Sequence, residues 1–139
     1  LTCTLTLIRG LPGSGKSTHA RSLSGCLHVE ADMFFETRNG YEFDPSRLKD
    51  AHAWCLEVAK NAVKCGQRVV VSNTFSRLWE MKPYLSLTDD VAVIVCTGNY
   101  LNIHGVPRAT IERMRSRWED HPLDSYKGEL SRALILPPC

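Results

Sequence analysis

No stretch of this chain approaches the roughly twenty consecutive apolar residues that a membrane-spanning helix needs, so a helical anchor of that kind is excluded. Excess charge is also missing: 17 Lys and Arg against 15 Asp and Glu leave only +2 over 139 residues. No global field marks the chain as a binder of nucleic acid or membrane, and any such site has to be local. The six cysteines (Cys3, Cys26, Cys55, Cys65, Cys96 and Cys139) contain no C-x-x-C pair and no His/Cys spacing typical of zinc. Cys3, Cys55 and Cys96 fall in apolar segments, where cysteine behaves as a small hydrophobe. Free thiols in a reducing cytoplasm are therefore expected. Internal repeats, low-complexity tracts and linkers are absent, so residues 1–139 are expected to form one domain, with no room for a second catalytic one. The chain opens on Leu1 rather than Met and lacks the charged, apolar and cleavage regions of a leader, so no targeting segment is expected and a trimmed start is.

What is present is concentrated near the amino end. Gly10-Leu-Pro12-Gly13-Ser14-Gly15-Lys16-Ser17-Thr18 satisfies G-x-x-x-x-G-K-[ST], the phosphate-binding P-loop pattern. Its three glycines let the backbone bend so that successive N–H groups point at phosphate oxygens. Lys16 adds a compact positive charge for the β- and γ-phosphates, and the Ser17 hydroxyl is suited to Mg²⁺. Leu5-Thr-Leu-Ile8 upstream reads as a buried strand, and the stretch from Lys16 to Gly25 as a short helix whose positive end faces the same anion. Strand, loop and helix thus follow in the order the motif requires. A nucleoside triphosphate, ATP or another, is the expected ligand, with Mg²⁺.

Further along, Cys26–Glu30 reads as a second strand and Asn39-Gly40 as a turn. Asp44-Pro45 reads as a helix start, followed by a stripe of Leu48, Ala51, Cys55, Leu56, Ala59, Ala62 and Val63 that Gly66 ends. Arg68–Ser72 and Val91–Cys96 read as further strands. Between them a short helix is predicted from Ser76 to Lys82, disturbed by Pro83. Arg108–Trp118 reads as an amphipathic helix. Strands alternating with helices predict an α/β fold of the P-loop NTPase type, three layers deep, with a mostly parallel sheet of four to five strands.

Ligands bind at the carboxyl ends of such strands, which places the P-loop, Asp32, Ser72-Asn73-Thr74 and the segment after Cys96 on one rim. Asp32 stands where an acceptor hydroxyl would approach the γ-phosphate, as a general base or, alternatively, a helix cap. Glu30 should point the other way if strand alternation persists. His52 falls on or beside the buried stripe and reads as a core or supporting residue. Phe34, Phe35, Tyr41 and Phe43 are placed to stack on a base, with packing against the long helix the alternative for Phe43 and Trp54. Arg108, Arg113, Arg115 and Arg117 would either meet phosphates or form a solvated face, since residues 108–120 net only +1.

Taken together, the P-loop, Asp32, Tyr41-Glu-Phe-Asp-Pro45, Ala51-His52-x-Trp54-Cys55, Asn73-Thr74, Trp79-Glu-Met-Lys-Pro-Tyr84 and Asn102-x-His104-Gly-Val-Pro107 resemble a known set. They are similar to P-loop kinase domains like the 5′-kinase of phage polynucleotide kinase. The likeness is nearest to kinase-like domains of proteins that bind Nedd-type ubiquitin ligases, with their bacterial and phage relatives. That resemblance implies that Asp32 deprotonates a 5′-hydroxyl of RNA or DNA, and that the helix arginines flank a lid at about residues 97–120. Two departures accompany it: Ser72-Asn73 carries no carboxylate where the family usually has one, and Leu101 replaces a lid arginine. An ATP-dependent phosphotransferase is expected from these features, with a nucleotide-binding switch or a simple NTPase as the alternatives.

Overall fold

The computed structural model describes residues 3–98 and 105–126. Leu101, Asn102 and His104, on which part of the lid reading rests, lie outside the described residues, as does Cys139. Five parallel strands form the central sheet: β1 (Leu5–Arg9), β2 (Leu27–Val29), β5 (Val69–Ser72), β6 (Val91–Val95) and β7 (Asp124–Tyr126), in the order β2-β5-β1-β6-β7. A separate antiparallel hairpin pairs β3 (Glu36–Thr37) with β4 (Gly40–Tyr41); its turn is Arg38-Asn39, so Gly40 of the expected Asn39-Gly40 turn opens β4 instead.

β1 lies centrally because both its faces are apolar or small. Leu5 and Leu7 pack into a core shared with α2 (Leu48–Lys64) and α3 (Leu78–Leu85). Ile8 packs into a second core with Ala20 of α1 (Lys16–Ser22), Val70 and Ile94. Helices therefore cover both sides of the sheet, giving the predicted three layers. Ala51, Cys55, Ala59 and Ala62 are the buried stripe of α2. The Asp44 side chain accepts the Ser46 N–H at 3.0 Å and starts the turn leading into this helix. Among the described residues no helix is long and apolar enough to cross a membrane.

Several expectations need correction. Leu48 belongs to the predicted stripe but is 41% exposed, since it sits in the first turn, beyond the sheet edge. α3 runs through Pro83 to Leu85 instead of ending there; fully buried Met81 and nearly buried Tyr84 anchor the turns on either side. β7 has no counterpart in the hydrophobic pattern. It is a polar edge strand held by long-range partners, with Ser125 Oγ donating to the Val93 carbonyl at 2.9 Å.

The chief of those partners is Arg9, which is fully buried at the root of the P-loop. Its Nη1 donates to both Asp124 carboxylate oxygens at 2.9 Å. Nη2 reaches the carbonyls of Phe75 at 2.6 Å and Glu119 at 2.7 Å, and Nε reaches Phe75 again at 3.1 Å. The guanidinium also lies 4.1 Å above the Trp118 ring. All five N–H groups are thus used, the condition under which a buried Arg is tolerated. The same bonds hold Phe75 at φ 48°, a left-handed backbone that a bulky residue adopts only when its surroundings enforce it.

Candidate functional site

The P-loop of residues 10–18 leaves β1 and turns into α1 through Gly13 (φ 82°) and Gly15 (φ 94°), both in the left-handed region that glycine enters without strain. Gly10 is needed for a different reason. A side chain there would collide with Ser14 Oγ and come within 2.7 Å of the Cys96 carbonyl. The Gly10 N–H bonds the Thr74 carbonyl at 3.2 Å, so the loop root is wedged between the ends of β5 and β6. Gly10→Ala is therefore expected to cost about 1–3 kcal/mol of stability by overpacking, readable as a lowered urea midpoint at unchanged slope.

Lys16 is half-buried, and its Nζ donates to the Leu11 carbonyl at 3.3 Å. Burial pulls its ammonium below the ordinary lysine range, while the nearby Glu30 and Asp32 carboxylates push it back up. An anion arriving at the loop would relieve that burial. Ser14 Oγ is buried with no partner among the described residues, a further polar group without a protein bond at this loop. The chemistry of the set (bent glycines, a partly desolvated lysine, a hydroxyl at Ser17) fits a triphosphate with Mg²⁺.

One cleft of about 790 Å³ gathers Pro12, Gly13, Gly15, Lys16, Ser17 and Thr18 with Asp32 and with Ser72, Asn73 and Thr74. Asp32 sits in a 3-10 turn, Ala31–Phe35, directly after β2. Two contacts fix that turn. Asn73 Oδ1 accepts the Ala31 N–H at 2.9 Å, and the Tyr41 hydroxyl donates to Asp32 Oδ1 at 3.1 Å. Burial, then the Asp32 charge, pushes the Tyr41 phenol up to about 12, so it remains a donor at neutral pH. Asn73 also directs its amide to Cys55 Sγ at 3.6 Å. Its side chain is spent on positioning the Asp32 turn.

Of the four helix arginines, only Arg117 lines the cleft; α4 (Arg108–Ser116) ends just before it. Arg115 lies 3.9 Å from Glu112, and Arg113 donates to Oγ1 of the cleft-lining Thr110 at 3.1 Å. Arg21 and Arg77 line the cleft instead. Arg77 is held by Glu119 at 2.9 Å, and the same carboxylate accepts the Leu78 N–H that begins α3. His52 faces the cleft and is exposed, so it is not the core residue its stripe position suggests. Phe34 packs on Trp54 of α2 at 6.1 Å, whereas Phe43 packs on Phe35 of the Ala31–Phe35 turn at 5.1 Å and not on the long helix. Yet Phe43, Tyr41, Leu48 and Trp79 also remain 41–70% exposed, and all four line the cleft.

Glu30 departs most from expectation. It lines the same cleft as Asp32 and Ser17, and His28 Nε2 lies 2.9 Å from its Oε1. The backbone at Glu30 is still extended (φ −136°, ψ 147°), and His28, two residues earlier, lies on the same side. Alternation therefore persists, and it places residues two apart, as Glu30 and Asp32 are, on one face instead of opposite ones. The signal available in the sequence was the pair of carboxylates two apart at a strand end.

A family model described as an AAA domain (AAA_33) matches residues 5–99, more than half of the chain, with the P-loop, Asp32 and Ser72–Thr74 inside it. The chain belongs to this family of P-loop kinase-like AAA domains. Human NEDD4-binding protein 2 is 35% identical to it over 134 residues, 83% of this chain and 8% of the relative. The chain thus corresponds to a small part of that protein. A chain of the Pnkp1/Rnl/Hen1 RNA repair complex shares the fold with a TM-score of 0.62 and 20% identity, over 81% of this chain and 43% of that one. A gluconokinase from Sinorhizobium meliloti gives 0.59 and 15%, over 87% and 79%. The Mycobacterium tuberculosis APS kinase CysC, in complex with AMPPNP and APS, gives 0.57 and 16%, over 96% and 95%. At such identities the likeness shows the fold of this AAA domain alone, and the fold is that of P-loop kinases.

Proposed function

We propose that this domain transfers the γ-phosphate of ATP to an acceptor hydroxyl, with the 5′-hydroxyl of a polynucleotide as the acceptor. The observation that carries this reading is a single cleft holding Lys16 and Ser17 at one end, Asp32 beside them, and Tyr41, Phe43, Leu48 and Trp79 exposed on its walls. Scattered apolar residues need no explanation, but four lining one cleft form a surface that suits a flat base. The name of the RNA repair complex among the fold's neighbours supports the same choice.

Backbone N–H groups of residues 13–18 and the Lys16 ammonium would hold the triphosphate, and Ser17 would hold Mg²⁺. When bound, that ion neutralises charge between the β- and γ-phosphates. Asp32, oriented by Tyr41, would accept the proton of the acceptor hydroxyl as its oxygen attacks the γ-phosphorus and ADP leaves. Arg117 and Arg77 lie on the same cleft to meet phosphates of the acceptor strand. Catalysis would come mainly from positioning and charge stabilisation.

Incubation with γ-labelled ATP and, separately, 5′-OH RNA, 5′-OH DNA, nucleosides and water as acceptors tests the reading. Label is expected on an oligonucleotide. Tight ATP binding with no label on any acceptor would favour a nucleotide-binding switch, and label only in free phosphate a simple NTPase. In the same assay Lys16→Ala is expected to reduce transfer by about 10²–10³-fold, the usual loss of one preorganised charge-stabilising donor.

A further inference from the structure

We propose that the carboxylate backing the metal ion in this cleft is Glu30, delivered from the end of β2, with the Ser72 hydroxyl as its partner on metal-bound water. The inference rests on the phosphotransfer reading above.

P-loop enzymes hold Mg²⁺ through the loop hydroxyl and an acidic residue from a neighbouring strand end. Mg²⁺ keeps several waters and takes only one or two protein carboxylates, so a complete protein cage is not required. Here the end of β5 offers Ser72-Asn73, with no carboxylate, and Asn73 is occupied by the Ala31 N–H. Glu30 supplies what that position lacks. Val29 pairs with Val71, so Glu30 and Ser72 follow as the next residues on adjacent parallel strands, at the rim the P-loop shares. Glu30 lines the same cleft as Ser17, the predicted metal ligand. His28 Nε2 lies 2.9 Å from Oε1, with only 14% and 12% of the two side chains exposed, so the carboxylate is held in place. Independently, Ser72 Oγ is buried, lines the cleft and has no partner among the described residues. Buried hydroxyls are normally bonded, and an orphan beside Glu30 and Ser17 points to a group that arrives with the ligand. Asp32, held by Tyr41, is left for the proton.

The test is ATP binding by calorimetry across a Mg²⁺ series, together with Mn²⁺ binding in the presence of ADP followed by electron paramagnetic resonance. Glu30→Gln is expected to raise the half-saturating Mg²⁺ concentration about 10–100-fold and to weaken Mn²⁺ uptake in parallel, with Mg²⁺-free ATP binding no weaker than wild type. Glu30→Asp should recover part of the loss. Ser72→Ala, which keeps the carboxylate, should raise the requirement by less. Asp32→Asn should leave it unchanged. A Glu30→Gln protein with the wild-type Mg²⁺ requirement overturns the proposal while the kinase reading stands. So does a requirement that shifts in Asp32→Asn instead. Should Glu30→Gln fail to fold, a Ser72→Ala protein with wild-type metal dependence overturns it equally. Wild-type protein that binds no ATP at any Mg²⁺ concentration removes both readings.

Discussion

Replacing Asp32 by Asn is expected to lower phosphoryl transfer by about 10²–10⁴-fold, the usual contribution of a positioned general base. The substitution is nearly isosteric, and an amide oxygen still accepts the Tyr41 hydroxyl that lies 3.1 Å from Oδ1. The turn Ala31–Phe35 is held separately, by Asn73 on the Ala31 N–H and by buried Phe35. What disappears is the capacity to take a proton. ATP affinity should therefore stay close to wild type, because the P-loop contacts are made by other residues. Initial rates at saturating ATP, set against calorimetric binding, separate the two quantities. An unchanged rate would remove Asp32 from the chemistry and leave Glu30, which lines the cleft beside the P-loop residues, as the candidate.

Truncating Asp124 to Ala is expected to destabilise the domain by about 3–5 kcal/mol, because a fully buried charge loses its partner. Arg9 would keep its three bonds to the Phe75 and Glu119 carbonyls but would lose both carboxylate bonds at Nη1. That loss is a large share of the roughly 5–15 kcal/mol available to an ordinary domain. It also falls at a junction: Arg9 precedes the P-loop, Phe75 follows Thr74 at the cleft, and Trp118 and Glu119 follow α4. Loosening it should weaken nucleotide binding although Asp124 does not line the cleft. Denaturant titration of Asp124→Ala reads the stability directly. The pair Arg9→Met with Asp124→Leu, which removes both charges, should cost less than Asp124→Ala alone. Equal losses in the two proteins would mean that the ion pair adds nothing beyond packing.

The features legible in the sequence were those written by local periodicity. Val69–Val71 and Val91–Val95 are uninterrupted apolar runs and Leu5–Ile8 is broken only by Thr6, a pattern that a sheet covered on both faces accepts. The glycines at 10, 13 and 15, followed by Lys16, identify the loop without any long-range information. The rest depended on contacts far apart in the chain. Arg9 looks like the polar end of a strand until Asp124, 115 residues away, is placed beside it. Asp124-Ser-Tyr126 carries no apolar pattern, since an edge strand this short is specified by its partners. Glu30 was misdirected by the parity of the strand: alternation separates neighbours, whereas Glu30 and Asp32 are two apart and share a side. His52 was misassigned because the stripe of α2 is narrower at its amino end, where Leu48 is also exposed. Arg77 could not be told from other surface arginines until Glu119 fixed it at the cleft.

The most direct measurement is a crystal structure of this domain with Mg²⁺ and a non-hydrolysable ATP analogue. The expected result is a triphosphate wrapped by the backbone of residues 13–18, its terminal phosphate between Lys16 Nζ and the Asp32 carboxylate. A nucleotide bound elsewhere, or one whose terminal phosphate is shielded from Asp32 by intervening side chains, would contradict it.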